Sequence, residues 1–113
     1  MRSSLLLCSL IFLDAIGCTQ KASDAPADPQ AQLIARGRLV YQTNCTACHA
    51  PDPRIAGALG PDIAKSSLEL IESRVLKTEY PSGYKPKRTT HIMQPLPQLK
   101  TDIPALHAYL NSL

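Results

Sequence analysis

An all-α fold with long connecting loops is predicted by three features of the sequence. Three segments carry apolar residues at the spacing of an amphipathic helix. The stretches between them are rich in proline and lack the apolar–polar alternation of β-strands. With 113 residues, 44% of them hydrophobic, the chain has room for one domain and is neither disordered nor membrane-embedded throughout. We therefore expect a single helical domain, which we place at residues 29–113.

The amino terminus has the pattern of an export signal. Arg2 supplies a positive charge, and the apolar run from Leu5 to Leu13 is too short to span a bilayer but suits a secretory signal. We assign residues 1–17 to a signal peptide. Residues 18–28 are rich in Ala, Asp and Pro and lack an apolar period, so we expect them to form a flexible tether.

The end of the predicted signal resembles the lipobox of bacterial lipoproteins. Gly17 precedes Cys18, which in such boxes is acylated and becomes the first residue of the mature chain. Two departures are Asp14 and Ala15, since a leucine is usual at the latter position. The alternative is an ordinary signal peptide cut nearby, which would leave Cys18 as a free thiol or remove it. We expect lipidation of Cys18 and attachment on the periplasmic side of a bacterial membrane, with a soluble periplasmic protein as the alternative.

The first predicted helix extends from Pro29 to about Thr43. Asp28 is suited to accept a hydrogen bond from a free N–H of the first turn, and Pro29 fits the first helical position, where no N–H is needed. The face expected to be buried consists of Leu33, Gly37, Val40 and Tyr41.

The second predicted helix opens at Ser66-Ser67-Leu68-Glu69, which has the pattern of a capping box. It cannot continue through Pro81, because proline lacks the N–H that an inner turn requires. One stripe of this helix consists of Leu68, Ile71, Glu72 and Val75.

The third predicted helix begins at Thr101 or Asp102 and continues to the end of the chain. Its apolar stripe consists of Ile103, Leu106, Leu110 and Leu113, with Tyr109 beside it. The three helices together provide few large apolar side chains, since the chain has no Trp and its single Phe, Phe12, lies in the predicted signal. A small domain of this kind often depends on a cofactor, metal or disulfide for its core.

The segment Cys45-Thr46-Ala47-Cys48-His49 contains the candidate chemistry. A structural zinc site needs four ligands, but the only other histidines are His91 and His107, and no second cysteine pair follows the predicted signal. A thioredoxin-like dithiol expects a preceding strand, whereas here a helix is predicted. Two cysteines three positions apart with histidine directly after the second match the attachment motif of a c-type haem, which is the interpretation we favour.

The chain from about Ala31 to Leu113 resembles the class I c-type cytochromes, which are small monohaem electron carriers. The resemblance depends on four stretches in order: GRLVYQTNCTACH, LGPDI, IMQPLPQL and IPALHAYLNSL. It implies three main helices with long loops wrapped around one haem, which Cys45 and Cys48 attach through thioethers. It also implies that His49 binds the iron and donates a hydrogen bond to the carbonyl of Pro61. Gly37 would allow the first helix to cross the last closely, against Tyr109.

Met93 is the expected sixth ligand of the iron. It is the only methionine besides Met1, and Pro95 and Pro97 stiffen the loop that follows it. The family often shows Met-Pro, but here Gln94 intervenes, and His91 lies two residues upstream. His91 is therefore an alternative ligand, and it would lower the reduction potential.

These residues predict a one-electron carrier without catalytic residues, because protein ligands on both sides leave the iron no open position. The alternatives are a haem enzyme or gas-binding cytochrome with a labile sixth ligand, and an assembly lipoprotein without haem. The net charge of +3 and the absence of acidic residues between Tyr80 and Lys100 would steer the protein to acidic redox partners. The alternative is that these charges only keep a solvated loop soluble or meet the haem propionates. The basic residues of this stretch are Lys85, Lys87, Arg88 and Lys100. Nothing in the sequence supports binding of nucleic acid or of a small-molecule substrate.

Overall fold

The computed structural model describes residues 28–113, which form three α-helices and one 3₁₀ helix. The helices are α1 (Pro29–Asn44), α2 (Leu68–Lys77) and α3 (Ile103–Ser112), and the 3₁₀ helix Pro97–Asp102 leads directly into α3. No strand occurs between residues 28 and 113, so the predicted all-α fold is confirmed. The predicted signal peptide, Cys18 and the tether up to residue 27 lie outside the described residues.

Helix α1 begins as predicted. The carboxylate of Asp28 accepts a hydrogen bond from the backbone N–H of Ala31 at 2.8 Å, which satisfies one of the free donors of the first turn. Gly37, Val40 and Tyr41 are buried, also as predicted. The prediction that Leu33 would be buried is wrong, because its side chain is 37% exposed and Ile34 packs against the core instead.

The crossing of α1 and α3 explains the glycine inside α1. A Cβ atom on Gly37 would lie 1.9 Å from the carbonyl oxygen of Ala105 and 2.8 Å from Cβ of Tyr109. Only hydrogen fits at this point, so the glycine that lowers helix propensity is what allows the two helices to touch. One turn further along α1, the rings of Tyr41 and Tyr109 pack with their centroids 5.7 Å apart.

Helix α2 has a different cap from the one predicted. Ser67 is its N-cap and accepts from the N–H of Leu70, whereas the hydroxyl of Ser66 donates to the carbonyl of Ile63. The predicted capping box is therefore wrong, because with Ser67 at the cap Glu69 falls one position short of the place where its side chain could reach back. The helix ends at Thr78, which adopts φ 61°, before Pro81 is reached.

The core lies between the three helices and the 3₁₀ helix, and α1 and α3 form its main contact. Leu68 is 45% exposed, so the predicted stripe of α2 is reduced to Ile71 and Val75. The stripe of α3 is buried as predicted except at Leu113, which packs at its margin. The core consists of Val40, Tyr41, Ile71, Val75, Leu99, Ile103, Leu106, Tyr109 and Leu110. Within residues 28–113, no helix has the length and apolar character needed to cross a membrane.

Candidate functional site

The CTACH segment folds into a compact turn at the end of α1. Cys45 is the C-cap residue of the helix, and its carbonyl oxygen accepts hydrogen bonds from the N–H of Cys48 at 3.2 Å and of His49 at 2.9 Å. Both cysteines are free thiols that are partly buried. Their side chains and that of His49 line one cavity. The turn thus presents all three side chains to a single space.

The ring of His49 is oriented by the loop that follows. Its Nδ1 atom lies 2.8 Å from the carbonyl oxygen of Pro61. A carbonyl oxygen can only accept, so this contact requires the proton on Nδ1 and leaves the lone pair of Nε2 available as a ligand. The predicted contact between His49 and Pro61 is therefore present in the structure.

Two glycines whose packing the sequence did not predict bring this loop against the CTACH segment. A Cβ atom on Gly60 would lie between 2.5 and 2.9 Å from three ring atoms of His49. A Cβ atom on Gly57 would lie 2.5 Å from the carbonyl oxygen of Cys48. The N–H of Gly60 also donates to the carbonyl of Cys48 at 2.9 Å. The signal in the sequence was two glycines shortly after the histidine, but their spacing alone does not reveal a ring packed on backbone.

The cavity is lined largely by aliphatic side chains of α2, α3 and the loops that precede them. These are Leu59, Ile63, Leu70, Ile71, Val75, Ile92, Leu96, Leu106 and Leu110. Several of them also belong to the core or pack against it, so the cavity is continuous with the hydrophobic centre of the domain. A flat apolar molecule in this space would complete the core.

The cavity distinguishes between the candidate sixth ligands. Met93 lines it together with His49 and packs against the core. His91 is exposed and is not among the lining residues. His107 lines a separate shallow groove between α1 and α3. Met93 is therefore the candidate that shares a space with His49.

An arginine and two tyrosines form a stack at the polar edge of the cavity. The guanidinium of Arg74 lies 4.1 Å from the ring centroid of Tyr80, and the Tyr80 and Tyr84 rings are nearly parallel with centroids 5.5 Å apart. Arg74 also donates to the carbonyl of Thr78. All three stacked residues line the cavity. Sequence reasoning did not predict this stack, because its members lie on α2 and on the following loop without a common period.

Half of the predicted basic residues near Met93 have internal partners. The ammonium of Lys87 lies 2.6 Å from the carboxylate of Asp62, and it lowers the pKa of that carboxyl group through a hydrogen bond. The guanidinium of Arg88 donates to the carbonyl oxygens of Gly57 and Ala58 at 2.9 and 3.2 Å. The locally basic region is therefore smaller than the sequence suggests.

Burial raises two pKa values beside the CTACH turn. The hydroxyl of Tyr41 donates to the carbonyl of Ala50 at 2.5 Å, and the side chain has no exposed surface. Burial is the main reason that the pKa of Tyr41 is raised to about 12. Burial, followed by the proximity of Cys48, raises the pKa of the free Cys45 thiol to about 11. Both groups are neutral at pH 7.

A family model described as Cytochrome c matches residues 34–113. The chain belongs to the cytochrome c family. The predictions of a class I c-type cytochrome and of one covalently bound haem c are thereby confirmed, and Cys45 and Cys48 fit its attachment motif. As a cytochrome c, the protein binds haem, transfers electrons and has redox proteins as partners. No curated protein and no solved structure shows a significant match to the chain.

The residues of the cavity fit a c-type haem on three counts. Two free thiols and a thioether line the same cavity as an imidazole whose Nε2 has no hydrogen bond to any residue from 28 to 113. The walls are mainly aliphatic, as a porphyrin requires. Arginine and phenol groups at the edge match the carboxylates that haem carries. Among residues 28–113, no group of three or more His, Cys, Asp or Glu side chains is placed to hold a metal ion by itself.

Proposed function

We propose that this cytochrome c is an exported one-electron carrier whose iron is held between Nε2 of His49 and the sulfur of Met93. Ligation by Met93 is supported by one observation: Met93 lines the same cavity as His49, whereas His91 is exposed and does not line it. Haem bound in this cavity supplies the iron that gains and loses a single electron.

The protein's own residues have separable tasks in this proposal. Cys45 and Cys48 fix the haem edge to the end of α1. The carbonyl of Pro61 holds the proton on Nδ1 of His49, which orients the ring and increases the donor strength of Nε2. Thioether ligation by Met93 favours a higher potential than a second histidine would. The aliphatic walls exclude water, which limits solvent reorganisation when the charge changes.

The iron has no open position in this arrangement, so electron transfer is favoured over catalysis or gas binding. A redox titration of the holoprotein should follow a one-electron curve and be fully reversible. Carbon monoxide should bind the reduced protein slowly at neutral pH, because Met93 must leave first. Rapid binding would favour the alternative of a haem enzyme or gas-binding cytochrome with a labile sixth ligand.

The proposal also includes a membrane anchor, which rests on the sequence alone. Residues 1–17 would direct export, Cys18 would carry the acyl chains, and residues 18–28 would connect them to the haem domain at residues 29–113. A fully extended tether of this length reaches at most roughly 40 Å, so the haem domain would stay close to the periplasmic face of a membrane. Labelling with a radioactive fatty acid should mark the wild type, and Cys18→Ser should lose both the label and membrane attachment. A Cys18→Ser protein that remains labelled would contradict the anchor.

For the redox partner we propose an acidic docking surface. Lys85 and Lys100 are exposed, and the side chain of neither makes a hydrogen bond or ion pair within residues 28–113. Because only these two of the four predicted cations are unengaged, the electrostatic attraction should be modest. Electron transfer to an acidic redox protein should slow as ionic strength rises, whereas transfer to a basic one should not. Equal salt dependence with both would contradict an acidic partner.

A further inference from the structure

The segment that carries Met93 has little support of its own. Residues 81–95 form neither a helix nor a strand. Met93 packs against the core, and Leu96, just beyond the segment, donates its N–H to the carbonyl of Val75. Among the residues that the structure describes, every hydrogen bond between residues 81–95 and the rest of the chain is donated by Lys87 or Arg88.

These hydrogen bonds end on the loop that supports His49. Arg88 donates to the carbonyls of Gly57 and Ala58, and Lys87 donates to the carbonyl and carboxylate of Asp62. The same loop places Gly60 against the His49 ring and Pro61 on its Nδ1. The two side chains therefore connect the segment bearing one candidate ligand to the loop that orients the other. We call this pair of side chains and their contacts the Lys87–Arg88 bridge.

We propose that Lys87 and Arg88 are positioning residues, and that their bridge determines how often Met93 moves away and exposes the sixth position of the iron. This inference rests on the proposed ligation by His49 and Met93. When the bridge is intact, residues 81–95 are held at their middle as well as at their ends. When it is broken, no other hydrogen bond joins the segment to the rest of residues 28–113. Only apolar and ring contacts then restrain its outward movement, namely the packing of Met93 on the core and the stack of Tyr84 on Tyr80.

Lys87 and Arg88 should contribute unequally to holding residues 81–95 in place. The side chains of Lys87 and Asp62 are 45% and 43% exposed, so water and salt screen their attraction. The guanidinium of Arg88 is only partly exposed, and it donates to two uncharged carbonyls that salt does not screen. Arg88 should therefore restrain residues 81–95 more strongly than Lys87 at every ionic strength. The restraint by Lys87 should be largest at low salt.

Carbon monoxide binding to the reduced holoprotein measures this opening directly, since the gas binds only after Met93 has left. At low salt and pH 7, Arg88→Gln should bind carbon monoxide about tenfold faster than the wild type, since a hydrogen bond to a charged group is lost. Lys87→Gln should bind it about twofold faster, and this difference should become smaller in about 1 M salt, because the attraction to the Asp62 carboxylate is screened. Arg88→Lys keeps the charge but loses the forked donor pair, so an intermediate rate is expected; it also serves if Arg88→Gln fails to fold.

Two control variants separate positioning from general stability. Lys77→Gln removes an exposed charge at the end of α2 that has no ion pair within residues 28–113, and it should bind carbon monoxide at the wild-type rate. Arg36→Gln breaks the 2.8 Å ion pair with Asp102 between α1 and the 3₁₀ helix. It should lower resistance to guanidinium unfolding while leaving the carbon monoxide rate unchanged.

The outcomes distinguish this inference from the ligation on which it rests. A wild-type protein without the near-infrared thioether-to-iron band would overturn the ligation by Met93, and the inference with it. A wild type that shows the band, together with Arg88 variants that bind carbon monoxide at the wild-type rate, would overturn the inference alone. Faster binding in Arg88→Gln, Arg88→Lys and Arg36→Gln alike would assign the effect to global stability and also overturn it.

Discussion

A Cβ atom on Gly37 would lie 1.9 Å from the carbonyl oxygen of Ala105, so α1 and α3 meet backbone to backbone at this point. Three residues earlier, Ile34 packs at the margin of the core, and four residues later Tyr41 packs on Tyr109. The position of the CTACH turn follows from this crossing, because the turn begins where α1 ends.

Gly37→Ala should destabilise the holoprotein by about 3 kcal/mol, at the upper end of the cost of overpacking, because the atoms in the way belong to backbone and cannot change rotamer. Helix propensity acts in the opposite direction, since alanine is favoured over glycine. Guanidinium unfolding measures the free energy of unfolding, in which these two effects are summed. Arg38→Ala, on the exposed face of the same helix, is the control and should change stability by less than about 0.5 kcal/mol. A Gly37→Ala protein as stable as the wild type would contradict the close crossing.

Gly60→Ala should disturb the iron ligation, because the new methyl group would lie 2.5 Å from Cε1 of His49. The ring must turn away from Pro61 or the loop must move, so we expect a shifted Soret band and a lower yield of holoprotein. Gly83→Ala is the matched control, since Gly83 has φ 79° but no atom within 4 Å of its added methyl group. It should cost about 1 kcal/mol of stability through backbone strain and leave the spectrum unchanged. Identical spectra for both variants would argue against the packing of Gly60 on His49.

Tyr41→Phe should lower the free energy of unfolding by about 1 to 2 kcal/mol. The hydroxyl donates to the Ala50 carbonyl in a fully buried position, and its removal leaves that carbonyl without the partner. Tyr109→Phe is the control, because the Tyr109 hydroxyl has no hydrogen bond within residues 28–113 and the Tyr109 ring packs against that of Tyr41. Equal losses in the two variants would show that the hydroxyl of Tyr41 is not the cause.

Tyr41 should also make stability fall at high pH. Its pKa is raised from 10.0 to about 12, chiefly because burial favours the neutral phenol. The stabilisation from keeping this proton is fully present below pH 10, where the unfolded chain also holds it, and is lost as the pH rises through about 12. Between pH 10 and about pH 12, the free energy of unfolding should fall more steeply with pH for the wild type than for Tyr41→Phe. Parallel curves would exclude Tyr41 as the titrating group.

The fold was largely predictable from the sequence, because helix ends and buried stripes are local patterns. Asp28 and the stripe of α3 illustrate this, since each depends on residues a few positions apart. Leu33 and Leu68 were assigned to the apolar stripes of their helices but are exposed, because the rotation of a helix about its axis depends on what it packs against. The 3₁₀ helix before α3 was not predicted, since its only buried residue is Leu99 and it has no side-chain cap.

The candidate site was predictable only in part. Cys45, Cys48 and His49 form one contiguous motif, and Met93 could be selected because no other methionine remains after Met1. The contacts of Gly60 and Arg88 were not predicted, for a physical reason. Their importance depends on contacts with residues far along the chain, such as the contact of Arg88 with Gly57, and no local pattern encodes such contacts.

Cys45→Ser/Cys48→Ser should lose covalent haem and most of its helical structure. The cavity walls include core residues such as Ile71 and Leu110, which would face water if the haem were absent. A haem stain on a denaturing gel should be negative, and the far-ultraviolet helical signal should fall to below roughly half of the wild-type value. Met93→Ala is the control. It keeps the thioether bonds of Cys45 and Cys48 to haem, so it should remain stained and helical. Full native helicity in the double variant would contradict a core that depends on haem.

The near-infrared band between a thioether and ferric iron tests the central claim, the ligation of the iron by His49 and Met93, most directly. The wild type should show the band, Met93→Ala should lose it, and His91→Ala should retain it, because Met93 lines the cavity while His91 is exposed. A wild-type protein without the band, together with a spectrum that changes in His91→Ala but not in Met93→Ala, would show that His91 binds the iron and would contradict the account.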